Sequence, residues 1–214
     1  MKWMILGLAG ALVLIGLGFM LTGGNGNEAV SHSPEAIRLC EEGTRDLNAF
    51  RWPSAVDKLG EALELDPTLA EASIARAFAY LRIGERSKFK VEAARAESLS
   101  AVIEDDERRM VAHLRLSGIG KSQLHDMRDS LLTRLQKELP DNIYVLEALA
   151  GRATMSGDPE EIEQAWLKIL EIDPNYASSY NNLGYMELYR GNYEKAIEYM
   201  QKYAFLAPDL ANPH

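Results

Sequence analysis

The sequence predicts an all-α fold of about five helix pairs preceded by one transmembrane helix, and three observations predict it. Residues 177–209 lie on the residues before them when shifted by 34. Tyr180, Leu183, Gly184, Gly191, Ala196 and Pro208 then fall on Leu146, Leu149, Ala150, Gly157, Ile162 and Pro174. A fixed period of this size is the mark of a stacked-repeat architecture. Residues 3–22 form a run of twenty without a charge. The composition completes the case: 47% hydrophobic, 26% charged, and only 5 Phe and 3 Trp among 214 residues favour helix over sheet.

At the N-terminus the apolar run sets a length. At about 1.5 Å per residue it spans roughly 30 Å, the thickness of a bilayer hydrocarbon core, where a lone segment must be helical to pair its own backbone. Residues 1–23 are therefore expected to be an anchor. A cleaved signal peptide is the alternative, with Thr22-Gly23-Gly24 as a weak small-residue site. Lys2 precedes the run, and the next basic residue is Arg38. The positive-inside bias then puts the N-terminus in the cytoplasm and the rest on the far side, the periplasm of a bacterium, making an inner-membrane single-pass protein. Residues 24–33, opening Gly-Gly-Asn-Gly-Asn from Gly23, read as a flexible linker in which His32 has no ligand-spaced companion and is expected to be inert.

From residue 34 the helix pairs follow one another. Ser33-Pro34-Glu35 carries a capping hydroxyl and a proline at the first helical position. Pro67, Pro140, Pro174 and Pro208 each close a second helix, because proline lacks an N–H and forces its predecessor out of the helical region. Pro67 and Pro140 are two periods and five residues apart, so two irregular repeats fill that interval. The frame is 36–69, 70–103, 104–142, 143–176 and 177–210, within a domain covering 34–214. A long alanine-rich helix is expected over about 85–103, and the middle helices are expected to be longer than the regular ones or rotated. Gly43, Ala77, Ala150 and Gly184 take the eighth place of their repeats, where the two helices of a pair cross closely, with Ala55 and Ala196 expected opposite.

This pattern of 34 residues, with its small eighth residue and closing proline, resembles the tetratricopeptide repeat (TPR) family over about residues 34–214. The resemblance implies a right-handed TPR-type α-solenoid whose first helices line a concave groove. Placing the family's exposed groove positions on this chain gives Ile74, Phe78, Leu81 and Arg82; Tyr144, Glu147, Thr154 and Met155; and Ser178, Asn181, Tyr185, Leu188 and Tyr189. Such a mixture of aromatic and amide groups suits an extended peptide or a partner helix. The family's clamp for a C-terminal carboxylate is not expected, since Cys40, Thr44 and Ala75 stand at its places. Membrane-tethered proteins of this layout resemble assembly factors for envelope complexes, including cytochrome c maturation and pilus biogenesis. The function expected is thus a tethered protein-interaction scaffold, or a periplasmic or secreted binding protein if the leader is removed.

Catalytic chemistry is not expected. His113 and His125 fall on different helices, and no HExxH, CxxC, GxSxG or phosphate-binding loop occurs. Gly118-Ile119-Gly120-Lys121-Ser122 lacks the earlier glycine and the strand a P-loop needs and reads as a helix–helix turn. The run Glu104-Asp105-Asp106-Glu107 opens a helix, where negative charge complements the dipole. Cys40, the sole cysteine, is read as an inward small hydrophobe. No cofactor or metal is expected, and a formal charge of −9 argues against nucleic acid. On the last helix, Tyr193, Ala196, Ile197 and Met200 are expected on the partner helix. Tyr199, Tyr203 and Leu206 would then face outward, toward further repeats or a second copy.

Overall fold

The computed structural model describes residues 32–118 and 127–208. The expected anchor, most of the linker, His125, His214 and the end of the fifth repeat lie outside them. Of the two compact units, the second begins at His32. The described residues form ten helices: α1 (Pro34–Asn48), α2 (Trp52–Leu65), α3 (Ala70–Arg82), α4 (Arg86–Ala101), α5 (Asp106–Ser117), α6 (Arg128–Glu138), α7 (Ile143–Ser156), α8 (Pro159–Ile172), α9 (Ala177–Arg190) and α10 (Tyr193–Leu206). Each odd helix packs against the even helix after it, and successive pairs stack. No described helix is long and apolar enough to cross a membrane.

Local chemistry sets the ends. Ser33 accepts the amide of Ala36, Asp105 that of Arg108, Asn142 those of Tyr144 and Val145, and Asp158 those of Glu160 and Glu161. Four second helices stop where a proline follows. Asp66, Leu139, Asp173 and Ala207 swing to φ values of −139°, −130°, −130° and −132°, out of the helical region that a following proline ring disfavours. The irregular middle departs from expectation in one respect: α4 is the longest described helix at 16 residues, but α5 and α6, with 12 and 11, are among the shortest.

The first and fifth pairs cross closely at Gly43 and Gly184, and Ala55 and Ala196 on their second helices are buried. A Cβ on Gly43 would meet Leu59 Cγ at 2.6 Å, and one on Gly184 would meet Met200 Cε at 2.8 Å. Leu59 and Met200 stand one helical turn beyond Ala55 and Ala196. The middle of the stack closes on Ile74, Ala77, Ala96, Ala112 and Leu116, with Phe78, Phe89, Ala93 and Ile103 packed around them.

Two further corrections concern single residues. His32 is not a free linker residue: its Nδ1 is 2.6 Å from Asp66 Oδ2, pinning the segment before α1 to the end of α2. Tyr193 and Ile197 are exposed rather than packed on α9, and Tyr199 instead meets Tyr180 of α9 at a tilt of 47°, centroids 6.3 Å apart.

Among the described residues, left-handed backbone falls in the turns of the first, second, fourth and fifth pairs. Gly84, Gly157 and Gly191 adopt φ of 81°, 75° and 80°, open space surrounding each, and Gly118 takes the same place in the third pair with φ −81°. In the first pair that place holds Phe50 at φ 61°. A bulky side chain there costs about 1–2 kcal/mol. The compensation comes from the other end of the chain. Ala49 is buried in one cluster with Ala177 and Ala207, against which Tyr203 and Leu206 pack. The Phe50 ring meets Trp52 and Tyr203 edge-on, at 5.9 and 5.7 Å between centroids. Arg51 Nη1 donates to the Leu206 carbonyl at 3.3 Å, and Ser178 Oγ donates to the Asn48 carbonyl at 2.8 Å. Both acceptors lie in the last turn of a helix, where carbonyls lack intrahelical partners. The stack curls until its first turn docks on its last helices.

Candidate partner-binding surface

The groove residues named from the sequence all fall on α3, α7 and α9, and packing treats them differently. Ile74 is fully buried in the central cluster, and Phe78, partly buried, packs against it. Ser178 is engaged by Asn48, and Asn181 is half-buried. Leu81, Arg82, Thr154, Met155, Tyr185, Leu188 and Tyr189 are exposed, Met155 at 85% and Tyr189 at 87%. All except Tyr185 sit in the last turn of α3, α7 or α9, and Tyr185 is one turn earlier. Ile83, just past α3, is exposed with them. The open part of this surface is therefore an apolar and aromatic strip at the C-terminal ends of the first helices.

Tyr144 and Glu147 lie deeper, on the first half of α7. The Arg115 guanidinium of α5 stands 4.0 Å from the centre of the Tyr144 ring, a cation–π contact worth about 0.5–2 kcal/mol depending on desolvation. Burial pushes the Glu147 carboxyl up from its ordinary range, against the opposing pull of a Tyr176 hydroxyl and of Arg115 and Arg82. Burial likewise raises the Tyr144 and Tyr176 phenols. Across from them Cys40 is 5% exposed, and desolvation drives its thiol up to about 12, Glu71 adding to the shift and Arg115 opposing it. A thiol held protonated in this way is no nucleophile.

The second and third pairs are tied through Arg108 Nη2 and Glu71 Oε1, 2.7 Å apart. Several buried polar atoms nearby lack a hydrogen-bond partner: Glu71 Oε2, Arg108 Nε, Tyr176 Oη and Ser179 Oγ. Tyr176 Oη thus faces Glu147 without closing a bond of normal geometry. Chemically the interior offers hydrogen-bonding capacity and one ring-stacked cation around a reluctant carboxylate. It does not assemble a nucleophile with a base. Among the described residues no group of three His, Cys, Asp or Glu could hold a metal ion. His113 is held below the ordinary imidazole range by burial and by Arg109.

Sequence reasoning missed Arg115, Phe50 and His32. Arg115 follows Leu81 by one period and falls on the same groove position, so carrying the frame through the irregular third repeat finds it. Phe50 precedes Gly84 by one period, in a column otherwise made of glycine. Nothing local marks His32, whose partner Asp66 is supplied by the fold.

An all-helical domain of successively stacked helix pairs is the architecture of a helical-repeat protein. Residues 165–198, from within α8 through α9 into α10, match the family described as tetratricopeptide repeat. Among solved structures, YrrB, a TPR protein with an unusual peptide-binding site, is 20% identical, covering 82% of this chain and 88% of its own at a TM-score of 0.39. MamA MSR-1 is 20% identical over 84% of this chain and 100% of its own, TM-score 0.39. A further MamA structure is 15% identical over 84% and 96%, TM-score 0.38. No curated protein matches the chain.

Proposed function

We propose that this chain is a protein-interaction scaffold that binds a peptide or partner protein on its first-helix face. Residues 3–22 tether it to a membrane, with the repeat domain on the periplasmic side. The observation that carries the reading is the exposed strip of Tyr185, Leu188 and Tyr189 on α9, continued by Met155 of α7 and Leu81 of α3. Large apolar side chains left in water cost a monomer solubility, and the two tyrosines give a partner binding energy with few rotors to freeze. The layout suits an assembly factor for an envelope complex: a tether on one side and a binding edge on the other.

The test is solubilisation of membranes expressing the full chain, followed by identification of co-purifying proteins, beside a Tyr185→Ala/Tyr189→Ala variant. Loss of a specific partner in the variant, with helicity unchanged, supports the strip as the binding surface. Retention of that partner at equal yield overturns it. Resistance of the chain to carbonate extraction supports the tether, whereas an N-terminus beginning near Asn25 overturns it in favour of a cleaved leader.

A further inference from the structure

Every turn between the two helices of a pair has glycine at one fixed place, Gly84, Gly118, Gly157 and Gly191, except the first, which has Phe50. Phe50 keeps the left-handed φ of 61° that glycine adopts freely in three of the others and that an aromatic residue resists. A residue held in such a conformation persists only where its surroundings over-determine it, and such sites cluster where strain serves a switch. Here the surroundings are the far end of the same domain. The ring lies 5.7 Å from Tyr203 of α10, and Arg51 next to it donates to the Leu206 carbonyl. One helix back, Ser178 of α9 holds the Asn48 carbonyl.

We propose that the Phe50 turn is a strained latch that holds the first helix pair on the fifth and so restricts access to the concave interior. When latched, the ends meet, and Cys40, which faces Glu71 of α3, Arg115 of α5 and Tyr144 of α7 from α1, is 5% exposed. When released, the turn relaxes, α1 and α2 swing away from α10, and the interior around Arg115, Tyr144 and Glu147 meets water. The strain in the turn offsets part of the ring contact, so the closed state is held by a narrow margin. That margin lets an occupant of the interior compete with the latch, since a ligand shifts a two-state equilibrium by its differential affinity for the two states. The consequence for a ligand rests on the reading of the first-helix face as the binding surface; the latch itself does not.

The lone cysteine makes the latch measurable without knowing the ligand. Phe50→Gly gives the turn the residue its backbone prefers and deletes the ring contact, so the variant folds but unlatches. Tyr203→Ala removes the same contact from the opposite side. The probe is the rate at which N-ethylmaleimide alkylates Cys40 in the full chain in detergent, with Ile169→Val in the core of α8 as a variant that weakens the fold elsewhere. In both latch variants Cys40 is expected to react at least about tenfold faster than in the parent chain, because the rate follows the population of the locally open state. The parent and Ile169→Val react slowly, and small-angle scattering shows a larger radius for the latch variants at unchanged helicity. Equal Cys40 rates in the parent and both latch variants overturn the proposal. So does an acceleration that Ile169→Val reproduces at matched stability. Failure of the Tyr185/Tyr189 variant to lose a partner leaves this result untouched, so the two readings fail separately.

Discussion

The first and fifth helix pairs are built on one frame and finished differently. In both, the eighth residue is glycine and a large side chain lies against it: Leu59 on Gly43, Met200 on Gly184. In both, the eleventh residue is a buried carboxylate that gathers the turn and the second helix. Asp46 accepts from Arg51 and Ser54 and pairs with Lys58 at 2.8 Å; Glu187 accepts from Arg190, Asn192 and Lys195. The turns then part company, Phe50 against Gly191. Repeats share what a pair needs to stand and differ where the pair does something else. A break in a local rule that is compensated by a distant contact marks a place to look for function.

The largest effect expected from this comparison is at Gly43. Leu59 is fully buried and a new Cβ would press on its Cγ, an atom near the root of the side chain rather than its free end. Overpacking of this kind costs about 1–3 kcal/mol, set against at most about 1 kcal/mol gained when alanine replaces glycine in a helix. Gly43→Ala should lose about 2 kcal/mol in urea unfolding with an unchanged slope. A neutral result would mean that α1 and α2 are not held at this crossing.

Next comes the carboxylate pair. Burial alone would raise Asp46, but hydrogen bonds from Lys58, Ser54 and Arg51, with the Arg51 charge, outweigh it and hold the group below its ordinary range. Glu187 is lowered chiefly by its bond to Asn192, with Lys195 and Arg190 adding to it. For a carboxylate depressed in the folded state, the stabilisation is complete above the unfolded value of about 4 and is lost as pH falls through the lower folded value. Asp46→Asn should therefore cost about 1 kcal/mol at pH 7 and flatten the acid limb of stability against pH, as charge-assisted bonds are exchanged for ordinary ones. Glu147 has the opposite sign. Raised by burial, it is most compatible with the fold when protonated and works against it as pH climbs past the unfolded value. If the Asp46→Asn profile keeps the parent's acid limb, the turn network is not what acid breaks.

How much of this was legible follows from the same contrast. The repeat frame, the stops before proline and the tight crossings are local or periodic, and a single sequence carries them in its spacing. The fate of individual groove residues is not periodic. Phe78 and Tyr185 occupy the same position in their repeats, yet one packs against the core and the other is half-exposed, because the middle of the stack closes on Ile74 beside Phe78 whereas α9 keeps its outer end free. The outward-facing Tyr203 and Leu206 were readable as an unfinished surface; that Ala49 and Phe50 from the other end would cover them depends on curvature summed over four interfaces. Small rotations at each step decide it, and no window of sequence contains them.

The smallest effect is also the most discriminating, because it repeats the first substitution in the other pair. A Cβ on Gly184 meets Met200 at Cε, Cγ and Sδ, at 2.8, 3.1 and 3.2 Å, which on distance alone resembles the crowding at Gly43. The difference lies in what can yield. Met200 is only partly buried, and its unbranched thioether has three rotors with which to move aside, whereas Leu59 is branched and enclosed. Moving the methionine should cost about as much as alanine returns in helix propensity, roughly 1 kcal/mol each, so Gly184→Ala should leave stability unchanged. Urea midpoints for the two variants side by side measure the contrast directly. A loss at Gly184 equal to that at Gly43 would show that the backbone approach, not the identity of the opposing side chain, fixes both crossings.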